Sequence, residues 1–159
     1  MGLDQYLSAR AYVSGYAHRP IDEQNTYEEM LNLAGFTKAD LSGEASPFIE
    51  LEISVGYWRK ANQVHEWFVQ NVQEGEDDCK PYFVSREKLA ELLSICREVM
   101  ADNSKAKELL PVSAGGFFFG SYEYDNWYFE QVENTIAQLS KILNNTKFDD
   151  CDFSYRASW

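Results

Sequence analysis

The chain has 159 residues, 45% of them apolar and 15% aromatic, which is enough to build a core without staples and excludes a disordered chain. Its 26 acidic residues against 14 basic ones give a formal net charge of −12. That balance argues against a nucleic-acid backbone or an anionic membrane as partner, because both need a cationic face. It fits a partner with a basic surface, or a mimic of nucleic-acid charge.

Cys79, Cys96 and Cys151 are too few and too scattered for a disulfide framework and lack the paired spacing of a zinc site. No metal or cofactor is expected. Neither a basic start with an apolar run nor a membrane-length apolar segment is present, so a cytoplasmic location is the expectation.

From the N-terminus, Leu3, Leu7, Ala9, Ala11 and Val13 alternate with polar residues, predicting a strand with one apolar face that Gln5 interrupts. Gly15 to Gln24, with His18, Arg19 and Pro20, reads as loop. Asn25 and Glu28 have capping-box spacing, so a short helix is predicted from Tyr27 to Ala34, with Gly35 as its stop. Ile49, Leu51, Ile53 and Val55 then alternate with Phe48, Glu50, Glu52 and Ser54, predicting a strand with one wet face. Gly56 is expected to turn the chain into a central helix.

That helix is predicted over Tyr57–Val72. Trp58, Ala61, His65, Phe68 and Val72 recur at steps of 3, 4, 3 and 4, a single buried stripe. His65 among apolar positions reads either as a hydrogen-bonded core residue or as a polar group aimed into a cavity. Trp67 lies off the stripe, so either another element covers it or it faces a partner. Arg59 and Lys60 near the helix start could hold an anionic group where free backbone N–H groups add positive potential.

Glu74 to Asp78 reads as a solvated acidic turn without the ligand order of a calcium loop. Pro81–Val84 is a short strand candidate. Ser85 caps a helix carrying Leu89, Leu92, Leu93, Cys96, Val99 and Met100, and a helical turn ends near Leu110. Ala114–Ser121 sets three phenylalanines between glycines, which reads as a buried strand with flexible ends or as a ligand-facing loop. A long helix follows over about Asp125–Leu143. The tail alternates from Cys151 to Trp159, a strand expected at an edge of the same sheet, where it leaves room for a homo-oligomer.

These elements predict an α+β fold. A small antiparallel sheet of N-terminal, central and C-terminal strands packs on three main helices, in one domain over residues 1–159. The expected ligand pocket combines Tyr57, Arg59, Lys60, His65, Trp67, Phe117, Phe119 and Tyr124. Convergent acid, base and nucleophile groups are not visible, so a binding protein is expected rather than an enzyme.

The stretches Met1-Gly2-Leu3-Asp4 with Tyr6-Leu7, Tyr57-Trp58-Arg59-Lys60-Ala61-Asn62 with His65 and Trp67-Phe68, and Gly116-Phe117-Phe118-Phe119-Gly120-Ser121 with Tyr124-Asp125 resemble a family of small uncharacterised proteins of tailed bacteriophages and prophages. The resemblance implies context and no activity: an accessory protein inside an infected cell that sequesters a signalling molecule or blocks a host factor. The two readings are therefore a binder of a small anionic, nucleotide-like ligand, and an acidic inhibitor or DNA mimic acting on a basic host protein.

Overall fold

A computed structural model describes residues 2–43, 47–113 and 119–159. Its four strands are β1 (Asp4–Ser14), β2 (Phe48–Arg59), β3 (Tyr82–Val84) and β4 (Asp152–Ser158), in the sheet order β2-β1-β4-β3. The helices are α1 (Ile21–Leu33), α2 (Asn62–Asn71), α3 (Arg86–Ala101), α4 (Ala106–Leu109) and α5 (Asn126–Leu143). The fold is α+β with an antiparallel sheet. No helix among the described residues is long and apolar enough to cross a membrane.

Contacts divide the chain into two compact units, Arg10–Glu52 and the residues through Ala9 together with Ile53–Trp159. In the smaller unit, α1 begins at Ile21, earlier than Asn25 and Glu28 suggest. The Pro20 carbonyl accepts from the backbone N–H of Glu23 and of Gln24, and Asp22 and Glu23 occupy the first turn, where the helix dipole favours carboxylates. Thr26 therefore lies inside the helix and turns its hydroxyl back to the Asp22 carbonyl at 2.8 Å. The stop at Gly35 is as expected, with φ +86°. Tyr27 is buried against Gly15, where a Cβ would stand 2.4 Å from the tyrosine ring.

The larger unit holds the main core. Leu89, Leu92, Leu93, Cys96 and Val99 of α3 share it with Val132, Leu139 and Ile142 of α5, and with the inner-facing residues Leu3, Leu7, Phe153 and Tyr155. Ser85 caps α3 by accepting from Lys88 N–H, and Asp125 caps α5 by accepting from Tyr128 N–H.

The central segment differs most from expectation. Tyr57, Trp58 and Arg59 continue β2 and do not open a helix. Gly56 is not a turn: a Cβ there would come within 3.2 Å of both Leu7 Cβ and the Trp58 ring, so glycine permits close approach inside the strand. The break falls at Lys60, whose φ is +57°, and α2 starts at Asn62. The apparent helical stripe combines a strand residue, Trp58, with helix residues that face the same core.

Contacts also change parity along β2. Arg10 meets Glu50 and Glu52, and Tyr12 meets Phe48, whereas Asp4 and Tyr6 meet Tyr57. Even positions on β1 thus face even positions early in β2 and odd ones late in it. The tail strand is also placed differently. β4 is internal, between β1 and β3, and the edges are β2 and β3. On the β2 edge, the Gln138 side chain of α5 accepts from Tyr57 N–H at 2.8 Å and donates to Tyr57 C=O at 3.0 Å, which mimics one step of a neighbouring strand.

Candidate functional site

Successive residues of a strand point to opposite faces of its sheet. Tyr57 and Arg59 therefore leave β2 on one side and Trp58 on the other, and the residues expected in one pocket separate onto two faces.

On the inner face Trp58 is buried and donates its indole N–H to Thr135 Oγ1 at 2.9 Å. Trp67 is buried as well, edge-on to Phe68, so another part of the fold covers it. His65 is 1% exposed and both ring nitrogens are engaged. Nδ1 lies 2.9 Å from Tyr155 Oη and Nε2 lies 3.0 Å from Asp77 Oδ2. Tyr155 Oη is 3.1 Å from Gln5 Oε1, and Gln5 Nε2 donates to the Ala61 carbonyl at 3.2 Å. The other Asp77 oxygen accepts from Trp159 Nε1 at 3.0 Å. Burial holds the Tyr155 phenol well above its ordinary range, with the Asp77 charge adding to the effect. This polar chain is buried at Gln5, Tyr155 and His65 and reaches the surface at Asp77 and Trp159.

Phe119 is buried, edge-on to His65 at 5.3 Å between ring centres. Phe117 and its flanking residues, 114–118, lie outside the described residues. Tyr124 is half-buried, accepts from Val112 N–H at 3.3 Å, and lies against Tyr128 at 4.9 Å. Lys60 is exposed in the tight turn between β2 and α2, where its carbonyl comes close to Gly120. Neither Arg59 nor Lys60 stands inside the first turn of α2, so that helix start is not the cationic site expected of it.

The outer face assembles a different group. The rings of Tyr6 and Tyr57 are 5.5 Å apart, and the Arg156 guanidinium lies 5.5 Å from the Tyr6 ring centre. Tyr57 donates its hydroxyl to Asp4, and Arg59 Nε is 4.0 Å from the same carboxylate. That hydrogen bond, more than burial, raises the Tyr57 phenol above its ordinary value. Tyr57 is 45% exposed and the Arg59 side chain 67% exposed. Arg156 also lines a shallow cavity of about 240 Å³ with Cys79, Ala157 and Ser158.

Sequence reasoning did not identify Asp4, Tyr6 and Arg156, nor Asp77 and Tyr155. Two signals pointed toward the inner chain. Gln5 interrupts an apolar strand face, and Tyr155 falls on the apolar parity of the tail; buried amides and phenols need partners. Asp77 carries no such mark within its acidic turn. Among the described residues no three His, Cys, Asp or Glu side chains converge on a metal position.

The class these features define is an α+β protein with a covered inner sheet face and an aromatic, arginine-bearing outer cluster. No protein-family model, curated protein or solved structure matches the chain.

Proposed function

We propose that the protein is a non-catalytic binder of a small planar anion of nucleotide-like chemistry, and that it binds on the outer face at Tyr6, Tyr57, Arg59 and Arg156. One observation carries this reading: Arg156 touches both the Tyr6 ring and the adjoining cavity. A guanidinium offers forked donors to phosphate or carboxylate, and tyrosine faces stack on rings. Asp4 does not repel such a ligand strongly, because Tyr57 and Arg59 already engage its carboxylate. The cavity is smaller than a typical drug-sized pocket, so it suits the anionic group while the ring rests on the tyrosines.

His65 supports binding over catalysis, since both its nitrogens are occupied in the core. An accessory role in which a nucleotide signal is sequestered inside an infected cell is consistent with the phage-type resemblance.

Thermal shift against mononucleotides and cyclic nucleotides tests the reading. A ligand at a hundred times its dissociation constant adds about 2.7 kcal/mol, or roughly 5–10 °C for a chain of this size. Stabilisation that disappears in Arg156→Ala is the expected result. No shift with any member of the panel would remove the proposal and leave the acidic surface, acting on a basic protein, as the remaining reading.

A further inference from the structure

The inner polar chain has a fixed supply of hydrogens, and counting them assigns a protonation state. Ala61 C=O can only accept, so the Gln5 atom 3.2 Å from it is the amide nitrogen and the atom facing Tyr155 is the amide oxygen. That oxygen needs a donor, and Tyr155 has one hydrogen. Once the phenol donates to Gln5, its oxygen can only accept from His65 Nδ1, which must carry a proton. On the other side of the ring, Asp77 presents a carboxylate oxygen 3.0 Å from Nε2, and that contact also requires a proton between the two atoms.

Either neutral form of the ring leaves two lone pairs facing each other. With the proton on Nε2 alone, Tyr155 turns to His65 and its oxygen stands 3.1 Å from the Gln5 oxygen with nothing between them. With the proton on Nδ1 alone, the bare Nε2 faces the Asp77 carboxylate. His65 is itself 1% exposed, so either conflict leaves an unsatisfied acceptor on or beside a buried ring. Two ring protons satisfy every contact. The Trp159 indole, donating to the second Asp77 oxygen, favours leaving the carboxylate ionised and the shared proton on the imidazole.

We propose that His65 is an imidazolium in the folded protein, and that its second proton is the latch that fastens the Glu74–Asp78 turn and the C-terminal Trp159 onto the core. The titratable groups bonded to it are Asp77 from that turn and Tyr155 from β4. This inference does not depend on the outer-face ligand.

Nitrogen-15 NMR of the imidazole in the intact protein at pH 7.5 is the test. Both His65 nitrogens should give shifts of the N–H type. One unprotonated ring nitrogen would overturn the proposal. In Asp77→Asn the imidazole should become neutral with one protonated nitrogen, because the amide nitrogen can donate to the bare Nε2 while the amide oxygen still accepts from the Trp159 indole. A His65 that stays doubly protonated in that variant would also overturn it. Should Asp77→Asn fail to fold, the wild-type spectrum decides alone.

Discussion

The two faces of the sheet use similar side chains to opposite ends. Inside, His65, Tyr155 and Gln5 are buried with each polar contact directed at a specific partner, and the chain reaches the surface through Asp77 and Trp159. Outside, Tyr6, Tyr57, Arg59 and Arg156 meet through a tilted ring pair, a guanidinium and the Asp4 carboxylate that Tyr57 and Arg59 share, with Tyr57 and Arg59 exposed. A polar group in a low-dielectric interior is costly unless satisfied, so breaking the buried part of the inner chain is expected to cost stability. Exposed ion pairs and cation–π contacts add little to stability, which leaves the outer cluster free to serve binding.

The sharpest way to break this comparison is to remove the central inner group. His65→Ala strips Asp77 and Tyr155 of their shared partner and leaves a cavity beside Phe119. Loss of one partner from a buried pair costs about 3–5 kcal/mol. Chemical denaturation should show that loss in full, while Arg156→Ala denatures almost as the wild type does. Equal losses for the two variants would abolish the division between the faces.

Alkaline unfolding is next in size. Burial pushes the Cys96 thiol from an ordinary 9.0 up to about 12, and it raises the Tyr128 and Tyr155 phenols in the same direction. In the unfolded chain these groups release their protons first, so above pH 9 the unfolded state binds fewer protons and stability falls as pH rises. For Cys96 the decline is about 1.4 kcal/mol per pH unit across the window from about 9 to 12. Cys96→Ala should flatten the first part of that slope in a melting-temperature series. An unchanged slope would mean that the thiol is not sealed in the core.

Smaller again is Tyr155→Phe, which keeps the ring stacked on Phe68 at 3.8 Å and deletes only the hydroxyl. Gln5 and His65 each lose a partner, for a cost of about 1–3 kcal/mol. Urea titration should place this variant between the wild type and His65→Ala. A value near zero would show that the hydroxyl is not the joint of the chain.

How far the sequence alone reached follows from the same physics. Segments with one unbroken period were the most legible: the alternation of β1 and β4 placed Leu3, Leu7, Ala9, Phe153, Tyr155 and Ala157 on the buried face, although Trp159 at the end of the same alternation is exposed. The segment from Gly56 to Val72 was not, because strand and helix meet there at a left-handed Lys60. Trp58, Ala61, His65 and Phe68 are all buried, as the stripe predicted, yet they arrive by two kinds of backbone. Reading the strand as helix rotated Tyr57 and Arg59 toward His65, when a period of two sends them to the opposite face. Gly56 misled for a related reason, since glycine serves close packing as readily as turning. The outer cluster draws on β1, the end of β2 and β4, and no local pattern announces that Arg156 will lie over Tyr6.

The smallest expected effect on stability sharpens the comparison most. Arg156→Ala and Tyr57→Phe each alter exposed contacts, and surface changes of this kind stay within about 0.5 kcal/mol. Unfolding curves for both should overlay the wild type. Their consequence belongs to binding. Arg156 supplies the forked donor between the Tyr6 ring and the cavity, so its loss should abolish any nucleotide-induced thermal shift. Tyr57→Phe keeps a ring to stack on but releases Asp4 from its hydroxyl, leaving a freer carboxylate beside the bound anion. That variant should weaken the ligand without eliminating it. If Tyr57→Phe abolished binding while Arg156→Ala spared it, the guanidinium would be structural and the phenol hydroxyl would be the ligand's contact.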